Sequence, residues 1–170
     1  MKIRNLVAQA RIASPLGPIT LAATARGLAG LWFDGQKHHP GPLDAPEDAS
    51  QPHIAQARAE LERYWRGGGG AGFAVPLDLQ GTAFQQAVWR ALRDIPAGGT
   101  GTYAAVAASA GSAGAARAAG AAIGRNPLSI IVPCHRVLGR DGSLTGYAGG
   151  LHRKQALLRL EAGGTGDGPD

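Results

Sequence analysis

The chain has 170 residues, of which 44% are hydrophobic, and a net charge of +5. This length is enough to bury a core in one domain or two small ones, so a wholly disordered protein is excluded. No apolar run approaches the ~20 residues that cross a bilayer, and the amino terminus alternates polar and apolar residues instead of forming a secretory leader. We expect a soluble, cytoplasmic protein with no membrane partner. One cysteine excludes an internal disulfide and a cysteine-rich structural zinc site.

The positive charge is distributed unevenly along the chain. Residues 81–160 contain nine Arg or Lys and two acidic residues, a net +7, whereas residues 1–80 contain eight basic and seven acidic residues. A basic excess in one half predicts contact with a polyanion such as the phosphate backbone of DNA. A biased composition in which arginine merely solvates the surface is the alternative that charge alone leaves open.

The first 79 residues are predicted to form one α/β domain. Residues 11–34 alternate small or apolar positions with polar ones and contain turn residues, which indicates a hairpin or meander. A loop rich in Pro, Gly and Asp follows, and residues 53–67 then place apolar side chains at helical spacing. The loop contains His38 and His39 without further metal ligands, so we interpret both as solvated rather than as a metal site.

A second domain is predicted over residues 80–163. Thr82 is a suitable cap for an amphipathic helix that ends at Ile95, directly before a proline. Residues 102–110 and 115–125 then predict two short helices joined by the turn GSAG. Two helices around a tight glycine-containing turn are typical of a helix-turn-helix.

The second helix of this pair has unusually small side chains. Alanine and glycine fill most of residues 115–125, and Arg117 is the one long side chain in its first turns. Such a helix can pack closely against its own protein, which is the ordinary use of alanine and glycine. It can also lie in a narrow DNA groove, with Arg117 inserted as a wedge or in place of a displaced base. The two interpretations are compatible, on opposite faces of the helix.

The segment after this helix leads to the cysteine. Asn126 precedes a proline and ends the helix, because the residue before proline is disfavoured in the α conformation. The apolar run over residues 128–134 predicts a buried strand with Cys134 at its end.

Three further features complete the chain. Tyr147 lies between glycine-containing sequences in a predicted loop, and residues 151–161 predict a final helix. The tail over residues 164–170 is predicted to be disordered.

The surroundings of Cys134 favour a nucleophile over a small buried hydrophobe, which is the usual role of a lone cysteine. A thiol attacks as the thiolate, which needs a proton acceptor and a positive or hydrogen-bonding environment. His135 and Arg136 follow directly. Because neighbouring side chains on a strand point to opposite faces, contact between the thiol and the imidazole requires a turn or a bridging water. Glu161, the one carboxylate between Asp141 and the tail, is the candidate to orient His135.

Two other functions fit parts of this pattern. Cys, His and an acid could form the triad of a cysteine hydrolase, which would need an oxyanion hole and would turn over repeatedly. A DNA-binding sensor or regulator would use the basic half of the chain and leave the thiol unreacted. Neither alternative explains all the motifs together.

The ordered set of motifs resembles the O6-alkylguanine-DNA alkyltransferases. The sequence PCHRV at residues 133–137 is preceded by GTAFQQAVWRALRDIPAG, TYAAVA, AARAAGAA and RNP, and is followed by GYAGG and LLRLEAG. The resemblance runs from Gly81 to about Gly163 with matching spacings. The sequence SPLGPITLAATARGLAGLWF is similar to the more variable amino-terminal domain of the same family.

The resemblance implies a fold and a reaction. The expected fold is α+β, with a small antiparallel-sheet domain of the ribonuclease H-like kind followed by a mostly helical, winged-helix-like domain with the helix-turn-helix. In this family a cysteine takes the alkyl group from O6 of a damaged guanine and keeps it, so each molecule reacts once. Cys134 would be the nucleophile, His135 would deprotonate it through a water, and Glu161 would hold His135. No metal or organic cofactor is expected.

The resemblance also implies a way of binding double-stranded DNA. A monomer would approach the minor groove with the damaged base flipped out, and Arg117 would fill the gap. The other residues have roles by their place in the family motifs: Tyr103, Ala116 and Gly120 at the DNA, Asn126 as a hinge, and Val137, Tyr147 and Ala148 around the alkylguanine.

Overall fold

The computed structural model describes residues 2–67 and 70–163, and the predicted disordered tail lies outside these residues. The fold is α+β, as predicted, with an antiparallel sheet followed by a helical half. Over the described residues, no helix is long and apolar enough to cross a membrane.

The amino-terminal half is a three-stranded meander packed against one helix. Strands β1 (Leu6–Ile12), β2 (Ile19–Thr24) and β3 (Leu28–Phe33) pair antiparallel in that order, which confirms the predicted meander. Helix α1 (Pro52–Gly67) confirms the second prediction. Its buried apolar side chains recur at helical spacing, because one face of the helix covers the sheet.

The carboxy-terminal half contains the predicted helix-turn-helix. Helix α2 (Ala83–Arg93) begins with a reciprocal capping box between Thr82 and Gln85. Helices α3 (Tyr103–Ser109) and α4 (Ala116–Gly124) follow. The turn between them contains two glycines with positive φ, a conformation that is unfavourable for residues with a side chain.

Helix α4 packs on one face and is exposed on the other. Ala119, Ala122 and Ile123 are buried, whereas Arg117 and Ala121 are exposed. The indole nitrogen of a tryptophan on α2 donates to the carbonyl of Ala122 over 2.8 Å, which holds the two helices together. The small side chains therefore serve close packing on the inner face and leave Arg117 on the outer face.

The segment over residues 128–134 is not a strand, which corrects the prediction. Only Leu128 pairs with the sheet, through an isolated bridge to Leu31, and the residues after it form turns. Ile130 has a φ of 72°, which no strand accommodates. Local hydrogen bonds, such as that from the Val132 amide to the Leu128 carbonyl over 2.9 Å, satisfy the buried backbone instead.

The two halves share one hydrophobic core. A short parallel pair, β4 (Gly101–Thr102) and β5 (Val137–Leu138), lies next to the cysteine turn, and helix α5 (Leu151–Glu161) packs against that turn and α1. Buried side chains from both halves form a continuous cluster. The division of the chain at residues 79 and 80 stays a prediction.

Candidate active site

A single 3-10 turn presents the cysteine and the histidine. The turn spans Cys134–Arg136 and begins directly after Pro133. Cys134 is 5% exposed and His135 is fully buried. Sequence reasoning required either a turn or a bridging water at this point, and the structure contains the turn.

Asn126 holds the segment that carries the thiol. Its Nδ2 donates to the Val132 carbonyl over 2.8 Å and to Sγ of Cys134 over 3.1 Å, and its Oδ1 accepts from the Leu128 amide over 2.9 Å. One buried amide therefore connects the end of α4, the turns after it and the thiol.

The resting thiol is protonated at neutral pH. Burial raises the pKa of Cys134 to about 11, although the hydrogen bond from Asn126 opposes this effect by favouring the thiolate. The reaction of such a thiol requires a base that removes its proton.

His135 follows Cys134 on the same turn and is hydrogen-bonded to a carboxylate. Its Nε2 lies 2.8 Å from Oε2 of Glu161, and the carboxylate assigns the proton to Nε2. Burial lowers the pKa of His135, although Glu161 raises it, so the ring is neutral at neutral pH. Its Nδ1 is buried and has no partner among the residues that the structure describes. The neutral ring therefore has a free acceptor on the side away from Glu161.

The carboxylate of Glu161 is surrounded by donors. Arg136 donates from Nε to Oε1 over 2.8 Å and from Nη2 to Oε2 over 2.9 Å, and the hydroxyl of Tyr64 donates to Oε2 over 2.7 Å. Burial favours the protonated acid, but the hydrogen bonds from Arg136 and His135 outweigh it and lower the pKa of Glu161 to about 2. Glu161 is therefore ionised under all ordinary conditions.

Cys134 opens into a cavity of about 280 Å³ that contains most of the predicted pocket. Tyr103, Gly120, Tyr147 and Ala148 line this cavity together with the thiol. Its remaining lining residues are Lys37, His38, Ile123, Gly124 and Gly146.

Three of the residues predicted to contact DNA or the alkylguanine lie outside the cavity lining. Val137 is buried behind the turn, where its amide donates to the Cys134 carbonyl. Ala116 and Arg117 lie on α4, with Arg117 on the outer face. Arg117 is one of six exposed arginines among the nine basic residues of this half, the others being Arg90, Arg93, Arg125, Arg140 and Arg159.

Tyr147 contributes a phenol to the pocket. Its hydroxyl is buried and has no protein partner within the described part of the chain. Burial raises the pKa of Tyr147 well above its usual value, so the hydroxyl remains a donor. Its ring lies edge-on to His135, with the centroids 6.5 Å apart.

A buried lysine supports the loop that carries the pocket residues, and sequence reasoning missed it. Lys154 is fully buried, and its Nζ donates to the Thr145 carbonyl over 2.7 Å. The Thr145 hydroxyl is also 2.8 Å from the hydroxyl of Tyr103. Lys154 lies seven residues before Glu161, on the same face of α5, and this spacing was the available signal.

The interpretation of His38 as solvated is confirmed by its exposure, but its place beside the cavity was not predicted. His38 is exposed, but together with Lys37 it forms part of the cavity wall. The Lys37 amide donates to the Ala148 carbonyl over 2.9 Å and joins the two loops. His39 instead accepts from the Gly41 amide. Within residues 2–67 and 70–163, no cluster of three or more acidic, His or Cys side chains could hold a metal.

Comparison with known proteins agrees with this geometry. A family model described as "6-O-methylguanine DNA methyltransferase, DNA binding domain" matches residues 83–163. A second model, described as the ribonuclease-like domain of the same proteins, matches residues 7–79.

Individual proteins are similar over most of their length. The chain is 47% identical to a methylated-DNA–protein-cysteine methyltransferase of Methanosarcina barkeri, over 88% of this chain and 94% of that one. It is 40% identical to the Haemophilus influenzae protein of the same name, over 87% and 82%. The structure of Mycobacterium tuberculosis OGT in complex with DNA is 44% identical, with a TM-score of 0.85 over 95% of this chain and 97% of that one. The chain belongs to the 6-O-methylguanine DNA methyltransferase family.

Proposed function

We propose that this protein repairs DNA by transferring the alkyl group of O6-alkylguanine irreversibly to Cys134. The observation that carries the proposal is the sole thiol at a cavity, next to a buried neutral histidine that a carboxylate orients. The family membership and the named activity of the relatives support the same reaction.

The bonds and protons of this reaction balance within the site. A water between Sγ and Nδ1 of His135 carries the thiol proton to the imidazole, which Glu161 stabilises as it becomes charged. The thiolate attacks the alkyl carbon, the C–S bond forms and the C–O6 bond breaks. The electron pair goes to guanine, which takes up one proton in place of the one that the thiol released.

The product explains why each molecule acts once. A thioether has no activated carbonyl that water could attack, and the site contains no group that removes an alkyl carbon from sulfur. The protein is therefore consumed with each lesion. O4-alkylthymine carries an equivalent ether and is a second substrate that the same chemistry would accept.

The residues of the cavity and of the turns beside it divide the recognition of the base between them. Tyr147 donates from its buried hydroxyl, and the backbone at Ala148 forms the adjoining wall. The carbonyls of Cys134 and Val137 accept from the exocyclic amine of guanine. Tyr103 turns and holds the extruded nucleotide, and Asn126 stabilises the thiolate as it forms.

Double-stranded DNA approaches through the minor groove. Ala116 and Gly120 have the small side chains that close contact with a groove requires, and Arg117 fills the gap that the flipped nucleotide leaves. Flipping costs a few kcal/mol, which such a wedge offsets. The exposed arginines supply the phosphate contacts, and the relative solved with DNA supports this partner.

Two further properties follow from the same chemistry. A monomer suffices, because a protein that flips one base has no two-fold related lesion to match. A cytoplasmic location suits a nucleophilic thiol, which a reducing compartment keeps free.

Cys134→Ala tests the nucleophile. The variant should transfer no methyl group from a duplex containing O6-methylguanine and should still bind that duplex. Lesion removal by this variant would refute the assignment. A cysteine hydrolase would instead release acid from a thioester repeatedly, and a sensor would bind the lesion and leave the wild-type thiol free.

A further inference from the structure

One donor to Glu161 comes from the other half of the chain. Tyr64 lies on α1, and its hydroxyl reaches Oε2 of Glu161 over 2.7 Å and a sequence separation of 97 residues. The side chain is 2% exposed and packs against Trp65 and Phe73, with ring centroids 5.2 and 5.6 Å apart. Its surroundings therefore fix the position of the hydroxyl.

The carboxylate oxygen that accepts the hydrogen bond from Tyr64 also accepts one from His135. Oε2 of Glu161 lies 2.8 Å from Nε2 of His135 and 2.9 Å from Nη2 of Arg136. Each donor draws electron density from the carboxylate and limits its freedom to rotate. The strength and direction of the hydrogen bond between Glu161 and His135 therefore depend on the hydrogen bond that Tyr64 donates to the same carboxylate.

We propose that Tyr64 is a positioning residue for alkyl transfer, which holds Glu161 toward His135 and limits the basicity of its carboxylate. This inference rests on the proposed function of Cys134. It makes the amino-terminal half a part of the reacting hydrogen-bond network. Burial, reinforced by the charge of Glu161, raises the pKa of Tyr64 well above its ordinary value, so the hydroxyl keeps its proton and donates to Glu161.

The charges around His135 determine the direction of the expected effect. Arg136 and Lys154 oppose a positive imidazole and Glu161 favours it, while Cys134 and the Tyr147 ring are the other titratable neighbours. Without the Tyr64 hydroxyl, the carboxylate is more basic and stabilises the protonated imidazole more strongly. The pKa of His135 then rises. The acidic limb of the pH–rate profile, where protonation of His135 slows transfer, therefore moves to higher pH.

Tyr64→Phe isolates the hydroxyl. The variant keeps the ring, and Arg136 and His135 still pair with Glu161, so no buried charge loses all its partners and the protein should fold. The measurement is the single-turnover rate of methyl transfer from O6-methylguanine in a short duplex, between about pH 5 and pH 9. We expect the midpoint on the acidic side of the pH–rate profile to rise by about one pH unit, so that transfer on that side slows severalfold while transfer near pH 8 changes little.

Ile54→Val is the matched control. Ile54 is fully buried on the same helix and has no hydrogen-bonding group, so its variant should lose stability and keep the wild-type midpoint. An unshifted midpoint in Tyr64→Phe, or the same shift in both variants, would show that Tyr64 serves packing alone. An NMR titration of the His135 ring reads the same shift without turnover.

The wild-type protein separates this inference from the proposed function. Failure of the wild type to place a methyl group on Cys134 contradicts the proposed function. Transfer by the wild type, with an unchanged midpoint in Tyr64→Phe, contradicts only the role of Tyr64.

Discussion

The side-chain nitrogen of Asn126 lies 3.1 Å from Sγ of Cys134, and the same nitrogen donates to the Val132 carbonyl. The amide both shapes the turns that lead to the thiol and offers it a hydrogen bond. That bond favours the thiolate, in opposition to the burial that keeps the thiol protonated.

Asn126→Ala should therefore raise the pKa of Cys134 further and slow alkyl transfer. A hydrogen bond to a charged group contributes about 1.5–3 kcal/mol, which corresponds to a rate loss of roughly tenfold to a hundredfold. Single-turnover kinetics, together with the pH dependence of thiol alkylation by iodoacetamide, measures both effects. An unchanged rate and alkylation profile would show that Asn126 has no electronic role.

Arg117→Ala should impair repair of duplex DNA far more than reaction with free O6-benzylguanine. The side chain is exposed on α4 and outside the cavity lining, so its loss affects extrusion and leaves the thiol as it is. Loss of the wedge leaves the few kcal/mol of base flipping uncompensated. Arg159→Ala, another exposed arginine, serves as the control for general charge. Equal losses of transfer rate on both substrates would contradict the role of Arg117 as a wedge.

The stability of the protein should fall in acid because of Glu161. Its pKa is about 2 in the folded protein and near 4.5 when unfolded, so its contribution is present above about pH 4.5 and is lost as the pH falls toward 2. The two values correspond to roughly 3 kcal/mol. Denaturant titrations of wild type and Glu161→Gln at several acidic pH values should show a shallower decline in the variant. Parallel declines would mean that other carboxylates control acid unfolding.

His38→Gly should widen the entrance of the cavity without loss of stability. His38 is exposed and has a φ of 62°, a conformation that glycine adopts freely. The ratio of the transfer rate from O6-benzylguanine to that from O6-methylguanine should rise severalfold. His152→Ala, at another exposed histidine, should leave the ratio unchanged. No change in His38→Gly would show that the amino-terminal loop does not restrict the alkyl group.

Local patterns in the sequence were sufficient to predict the amino-terminal meander and the five α-helices. The helical spacing before Tyr64, the Thr82 cap and the small turn between α3 and α4 are short-range signals that the tertiary structure leaves intact. The run over residues 128–134 was predicted wrongly, because hydrophobicity reports burial and does not distinguish a strand from buried turns. The positive φ of Ile130 has no signal in residue type.

Local sequence patterns could not predict the contacts between elements that are distant in the sequence. Adjacency in the sequence pointed to Cys134 and His135, and elimination among carboxylates pointed to Glu161. The hydroxyl of Tyr64 meets Glu161 only because α1 packs against α5, and His38 meets the cavity only through the bond between its loop and Ala148. These relationships depend on the packing of the two halves, which composition and spacing do not describe.

The mass of the intact protein after incubation with a duplex that carries one O6-methylguanine tests the central claim most directly. We predict a single gain of one methyl group, about 14 Da, that peptide mapping assigns to Cys134, with no second turnover when more duplex is added. An unchanged mass, or a methyl group on any residue other than Cys134, would contradict the account.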